Sequence, residues 1–126
     1  MTRQIIHTNN APKAVGTYSQ AVKVGQTVYI SGQIGLNPTT MQLADGFEAQ
    51  ANQVLDNIEA ICQASGGTLA DVVKYNVSLT DLADFNALNE IFVERLPQPY
   101  PARAAVQVSA LPKGAVVEIE AILFVE

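Results

Sequence analysis

The residues best suited to chemistry lie near the C-terminus, in Tyr100-Pro-Ala-Arg-Ala-Ala-Val-Gln-Val-Ser-Ala-Leu-Pro-Lys-Gly-Ala-Val-Val-Glu-Ile-Glu-Ala-Ile122. The stretch reads as two short strands joined by a turn at Leu111-Pro112-Lys113-Gly114. On the first strand Ala102, Ala104, Val106 and Val108 share one face, so Arg103, Ala105 and Gln107 share the other. On the second, Val117, Ile119, Ala121, Leu123 and Val125 form a core face, leaving Glu118 and Glu120 with Val116, Ile122 and Phe124. A solvated sheet face does not call for Ile122 and Phe124, and a fully buried one does not hold two unpartnered carboxylates. Cover by another subunit reconciles them. A pocket at such a junction has an arginine for an anionic substrate group and a glutamate for proton transfer. The plainer alternative is that Arg103 and Glu118 pair with each other or lie on an exposed edge.

The elements that must position these residues follow from periodicity and punctuation. Residues 3–7 read as a strand, and Asn9-Asn10-Ala11-Pro12 with Gly16 marks an irregular stretch leading to Tyr18. Residues 18–24 and 27–34 form a hairpin around Gly25-Gln26, where glycine first in a two-residue loop predicts a type II′ turn. The second strand carries Ser31-Gly32-Gln33, and Gly32 leaves room for a ligand, another backbone or a bulge.

After the turn Asn37-Pro38-Thr39-Thr40, Asp45 and Glu48 have the spacing of a capping box. Phe47, Ala51, Val54, Leu55, Ile58, Ile61 and Cys62 then make one apolar helical stripe, stopped by Ser65-Gly66-Gly67. Thr68 and Asp71 cap a short turn, Val72–Leu79 reads as a strand, and Thr80-Asp81 opens a second helix to about Leu96. Its predicted buried face is Leu82, Phe85, Leu88, Phe92 and Leu96, with Asn89 one position off that stripe; Pro97, Pro99 and Pro101 end it. The order predicts an α+β fold, one mixed sheet with both helices on one face.

Several motifs in order carry a resemblance. Pro101-Ala-Arg-Ala-Ala-Val106, Leu111-Pro-Lys-Gly114 and Val117-Glu-Ile-Glu-Ala-Ile122 resemble the C-terminal signature of the Rid (YjgF/UK) family, the reactive intermediate deaminases. Asn10-Ala-Pro12, Gly16-Thr-Tyr-Ser-Gln20, Ser31-Gly-Gln-Ile34, Asn37-Pro38, Gln50, Leu55-Asp-Asn57, Thr80-Asp-Leu82 and Phe85 extend it over nearly the whole chain. The resemblance implies a chorismate mutase-like fold, a homotrimer with clefts between subunits, and hydrolysis of 2-imino acids such as 2-iminopropanoate and 2-iminobutanoate, derived from 2-aminoacrylate-type enamines. The products are a 2-keto acid and ammonia. It implies that Arg103 clamps the substrate carboxylate, that Glu118 directs the water, and that Tyr18, Ser31, Gly32, Asn89 and the backbone of Ala105 line the cleft. Many family members carry cysteine where this chain has Ala105, which puts thiol-based regulation in doubt and can alter pocket shape. Pattern does not separate Glu118 from Glu120; the resemblance assigns the first. The main rival function is a non-enzymatic one, a keto-acid or amino-acid binding trimer acting as a metabolite sensor or protein-protecting partner.

Composition bounds the rest. With 126 residues and 48% hydrophobic content, one domain spanning residues 1–126 is expected. A formal charge of -5 with seven scattered Lys and Arg argues against a nucleic-acid partner, and so against the RNA cleavage attributed to some relatives. No run is long enough to span a bilayer, and no membrane partner is expected. Cys62 is the single cysteine and His7 the single histidine, which leaves no basis for an internal disulfide or a metal site. Without a secretory leader the expected compartment is the cytoplasm, with Cys62 as a small buried hydrophobe. No cofactor is expected, since a protonated imine is already electrophilic.

Overall fold

The computed structural model describes residues 2–126. Six strands form one mixed sheet: β1 (Arg3–Ile6), β2 (Ala21–Val24), β3 (Thr27–Ile34), β4 (Val72–Leu79), β5 (Ala102–Gln107) and β6 (Val117–Phe124), in the order β1-β2-β3-β6-β4-β5. Helices α1 (Phe47–Ala64) and α2 (Phe85–Arg95) cover one face. The α+β prediction holds. Between sheet and helices lie Val28, Ile30, Val77, Leu79, Val117, Ile119 and Leu123 from the strands, against Val54, Leu55, Ile58, Ile61 and Leu88.

The β2–β3 hairpin forms as expected, with Val24 opposite Thr27. Gly25 takes φ 61, while Gln26 is not among the residues of positive φ, as a type II′ turn requires. Further along β3 the register to β6 shifts between Ile30 and Gln33. Two residues, Ser31 and Gly32, stand there against Glu120 alone, a β-bulge that re-aims the strand beside the candidate site.

The apolar stripe of α1 is buried as its spacing demands, from Ala51 to Cys62. Its entry differs from expectation. The helix starts at Phe47 with Gly46 (φ 89) as N-cap and no side-chain cap bond, so Asp45 stands one residue too early for a capping box with Glu48. Its exit is a Schellman close, with Gly67 N donating to Cys62 O and Gly66 N to Gln63 O, and Gly66 at φ 93. Thr68 and Asp71 do form a capping box, around a 3-10 turn at Leu69–Asp71. Asp81 caps a second 3-10 turn, Leu82–Asp84, which leads into α2. Leu82 therefore precedes the helix and is 46% exposed rather than buried; Ile91 joins Leu88, Phe92 and Leu96 on the inner face instead.

The largest difference lies in the last two strands. β5 and β6 are not a hairpin: β5 runs parallel to β4 at the sheet edge, and β6 lies antiparallel between β3 and β4. A helical crossover, α2, joins the parallel pair β4 and β5, as parallel neighbours require. Leu111-Pro112-Lys113-Gly114 is a bend ending in a 3-10 turn at Pro112–Gly114, over which the chain passes from one side of β4 to the other. Val116, expected on the outer face, packs against the core.

Candidate functional site

Arg103 sits on edge strand β5, opposite Tyr75 of β4. Tyr75 is fully buried under the helices, so Arg103 projects on the helix side of the sheet. There its guanidinium carbon lies 5.1 Å from the Phe85 ring centroid and 5.5 Å from that of Phe92. Its Nη1 donates to Asn89 Oδ1 at 2.6 Å. Both rings and the amide come from α2, spaced four and three residues apart, so the helix presents all three on one side to Arg103. Phe92 is backed in turn by Tyr75, with ring centroids 5.5 Å apart at 50°. Among the described residues the ion pair is Arg95 with Asp56, and no carboxylate lies within 4 Å of Arg103. A cation held by π-faces and an amide, with no acid to neutralise it, is a receptor for an anion.

Beside it lies a pocket of about 380 Å³ lined by Asn89, Phe92, Val93, Leu96, Tyr100, Pro101 and Arg103. Ala105 follows Arg103 on the same side of β5 and is partly buried against the core. As an edge strand, β5 leaves one side of its backbone without sheet partners.

Glu118 belongs to the other face. Its neighbours Val117 and Ile119 are buried toward the helices, so Glu118 points away from them, opposite Ile34 of β3 and Ser78 of β4. It is half-buried against the bulge: a Cβ on Gly32 would stand 2.9 Å from Glu118 Cδ and 3.1 Å from Oε1. The space a side chain would take at Gly32 is filled by the carboxylate. Burial first, and the charge of Glu120 second, hold the Glu118 carboxyl above the ordinary glutamate range. Glu120, two residues on along the same face, is exposed and accepts a bond from Asn76 Nδ2 at 3.1 Å.

The bulge is tied to the loop before β2. Ser31 N donates to Gln20 O at 3.0 Å, and Ser31 Oγ to Ser19 O at 2.6 Å. Gln20, 2% exposed, holds that loop through its amide, Nε2 donating to Pro12 O at 2.8 Å and to Thr8 O at 3.0 Å, while Oε1 accepts from Thr8 N at 2.7 Å. Tyr18, 51% exposed, extends from this loop over Gly16. Tyr18, Ser31, Gly32 and Glu118 thus form one group, and Arg103, Asn89 and Ala105 another.

The two groups stand on opposite faces of the sheet within one chain. The alternative in which Arg103 and Glu118 pair is ruled out, and so is a pocket holding both from a single copy. Sequence reasoning also passed over Gln20, whose place in Gly16-Thr-Tyr-Ser-Gln20 marked it but whose role depends on carbonyls eight to twelve residues away. It placed Phe85 and Phe92 in the core; Phe92 is there, whereas Phe85 is only partly buried, and both rings cradle Arg103.

Cys62 is buried, and burial above all, with Asp71 and Glu59 adding, pushes its thiol up to about 12. It is no nucleophile. His7 is exposed, its Nε2 3.2 Å from Asn9 Oδ1. No helix among the described residues is long and apolar enough to cross a membrane.

Comparison with known proteins agrees with the signature. The model of the Endoribonuclease L-PSP family matches residues 8–125. A Homo sapiens protein named 2-iminobutanoate/2-iminopropanoate deaminase is 50% identical over 123 residues, covering 97% of this chain and 90% of that one. The crystal structure of RidA from an Antarctic Psychrobacter is 70% identical, with a TM-score of 0.96 over 97% of this chain and 99% of the other. That of E. coli TdcF with bound serine is 41% identical, with a TM-score of 0.91 over 98% and 99%. The chain belongs to the Endoribonuclease L-PSP family, the Rid (YjgF/UK) family whose signature its last two strands carry.

Proposed function

We propose that this protein hydrolyses 2-imino acids to 2-keto acids and ammonia at sites shared between copies, Arg103 coming from one subunit and Glu118 from the next. The observation that carries the reading is Arg103, fixed by Asn89 and two phenyl rings, with no acidic partner and a pocket beside it. With Nη1 bonded to Asn89, the rest of the donor fork is free for a carboxylate, whose planar two-pronged grip lysine does not reproduce. The relative crystallised with serine holds a carboxylate of the same size class.

Clamping the carboxylate places the C=N carbon for water. Glu118 takes a proton as the water oxygen bonds to that carbon, and the imine nitrogen becomes the amine of a tetrahedral adduct. Return of the proton to that nitrogen makes it a leaving group; as the C–N bond breaks and ammonia departs, the adduct's hydroxyl gives its proton to the Glu118 carboxylate and the carbonyl forms, and that proton then passes to ammonia or solvent. These transfers suit a carboxylate whose pKa is lifted toward the working pH. Gly32 admits that carboxylate against the bulge, Ser31 pins the bulge, and Tyr18 lines the cleft from the adjoining loop. The chemistry requires no cofactor.

The shared site accounts for the split of the two groups across the sheet. The uncovered face presents Tyr29, Ile122, Phe124 and Val106 around Glu118 and Glu120, an apolar field of the kind that subunits bury. We assign it to a closed homotrimer acting in the cytoplasm. The test is ammonia release from 2-iminopropanoate and 2-iminobutanoate formed in situ by an amino acid oxidase. The native protein should accelerate it; Arg103→Ala should abolish the effect and Glu118→Ala reduce it about a hundredfold or more. Binding of pyruvate that depends on Arg103, without acceleration, would instead make the protein a metabolite sensor.

A further inference from the structure

Glu118 stands at the end of the sheet, where a ladder holds its members least. It is the second residue of β6, and its neighbour across the ladder, Ile34, is the last of β3. Strand ends open locally at little cost, whereas a base that must meet one water needs its carboxylate held to within about 0.5 Å. Support comes from the other face of the sheet, out of α1. Gln50, 5% exposed, turns its Oε1 to Val116 N at 2.9 Å, the backbone group just ahead of β6. Asn57, two helical turns on and fully buried, donates through Nδ2 to Leu36 O at 3.0 Å and to Ile34 O at 3.3 Å. Gln53 Nε2 donates to Asn57 Oδ1 at 2.9 Å, which turns the donor side of that amide to the two carbonyls. Between them Gly35 has no Cβ where one would stand 2.7 Å from Gln50 Cα, so the exit of β3 comes down on the same part of the helix. Packing a helix on a sheet calls only for apolar side chains, and a buried amide is costly unless it is bonded. Here α1 buries two amides, and their bonds to the sheet go to the segments that flank Glu118.

We propose that Gln50 and Asn57 are positioning residues for Glu118: α1 holds the start of β6 and the end of β3 from behind, and so keeps the carboxylate aimed at the attacking water. The inference rests on the imine hydrolysis proposed above, with Glu118 as its base. Both amides act through backbone, on the side of the sheet away from the carboxylate. Arg103 is held by Asn89, Phe85 and Phe92 of α2, so the carboxylate clamp has supports of its own. Loosening the α1 amides should therefore slow the proton transfers and spare substrate binding.

The experiment measures kcat and KM for 2-iminopropanoate, formed in situ by an amino acid oxidase, in the native protein, Gln50→Met, Gln50→Glu and Gln53→Met. Methionine matches glutamine in length but removes the oxygen; glutamate keeps an oxygen at the same reach, charged or neutral. Gln53 is only half-buried, so Gln53→Met frees the Asn57 amide without opening the core. Circular dichroism with sedimentation checks fold and assembly. Gln50→Met should lower kcat about 10- to 100-fold with KM within about twofold of native, and Gln50→Glu should recover most of the loss. Gln53→Met should lower kcat in the same way, by a smaller factor. The acid limb of the pH profile should move down in Gln50→Met, as a carboxylate no longer held against Gly32 turns to water. Native kcat in the folded variants, equal loss in Gln50→Met and Gln50→Glu, or a loss carried by KM overturns the positioning role and leaves imine hydrolysis standing. Should Gln50→Met fail to assemble, Gln53→Met decides on the same split between kcat and KM. No turnover by the native protein overturns imine hydrolysis, and the positioning role with it.

Discussion

Arg103 and Glu118 stand in opposite surroundings. The arginine lies among π-faces and a neutral amide, whereas the glutamate is pressed toward its neutral form by burial and by Glu120. A carboxyl whose folded pKa is raised costs folding free energy as pH climbs through that pKa, because the unfolded chain ionises more readily. The stability it contributes is present below the unfolded value and lost above the folded one. Glu118→Gln should therefore be more stable than the native protein at neutral pH, and the gain should vanish in acid, while kcat falls sharply. Thermal melts at pH 7 and pH 4 read the sign. The types and parities of both residues were legible in the sequence. The Asn89 contact and the close approach at Gly32 were not, since each depends on a partner more than ten residues away.

Local elements were legible wherever one segment decides them. The apolar stripe of α1, the Gly25 turn, the Schellman close at Gly66 and β4 all follow from neighbouring residues. The pairing of β5 with β4, rather than with β6, does not. A turn-like Pro112-Lys113-Gly114 between two strands suggests a hairpin, and only the competition of three strands for neighbours decides otherwise. The Asp45 and Glu48 spacing misled because Gly46, free to take φ 89, starts the helix one residue later. Gly35 is equally nonlocal: a Cβ there would stand 2.7 Å from Gln50 Cα and 2.8 Å from Gln50 O, which is backbone of α1 and cannot swing away. Gly35→Ala should force α1 off β3 and cost about 1–3 kcal/mol, measured by urea unfolding. It should also weaken activity, because Gln50 Oε1 accepts from Val116 N just before β6, two residues before Glu118.

At the scale of the molecule, the sheet has one face sealed by helices and one left apolar around two acids. Composition and alternation showed that this second face needs cover, but not how many copies supply it, because the symmetry of an assembly is not written in any one strand. Ile122, on that face between Tyr29 of β3 and Lys74 of β4, is a direct probe. Ile122→Glu adds a third carboxylate to an interface that would have to desolvate it, so sedimentation should show monomers in place of the proposed trimer. Turnover should fall with assembly even though Arg103 and Glu118 are untouched.

The most direct measurement of the shared site is complementation. Arg103→Ala and Glu118→Ala chains, each inactive alone, are unfolded together and refolded as a mixture. In a closed ring with each site built across one interface, random assortment gives an intact arginine and an intact glutamate at about one site in four. The account predicts recovery of about a quarter of native imine hydrolysis. A mixture verified to contain mixed oligomers yet no more active than either variant alone would contradict it, and would remove Glu118 from the site that Arg103 forms.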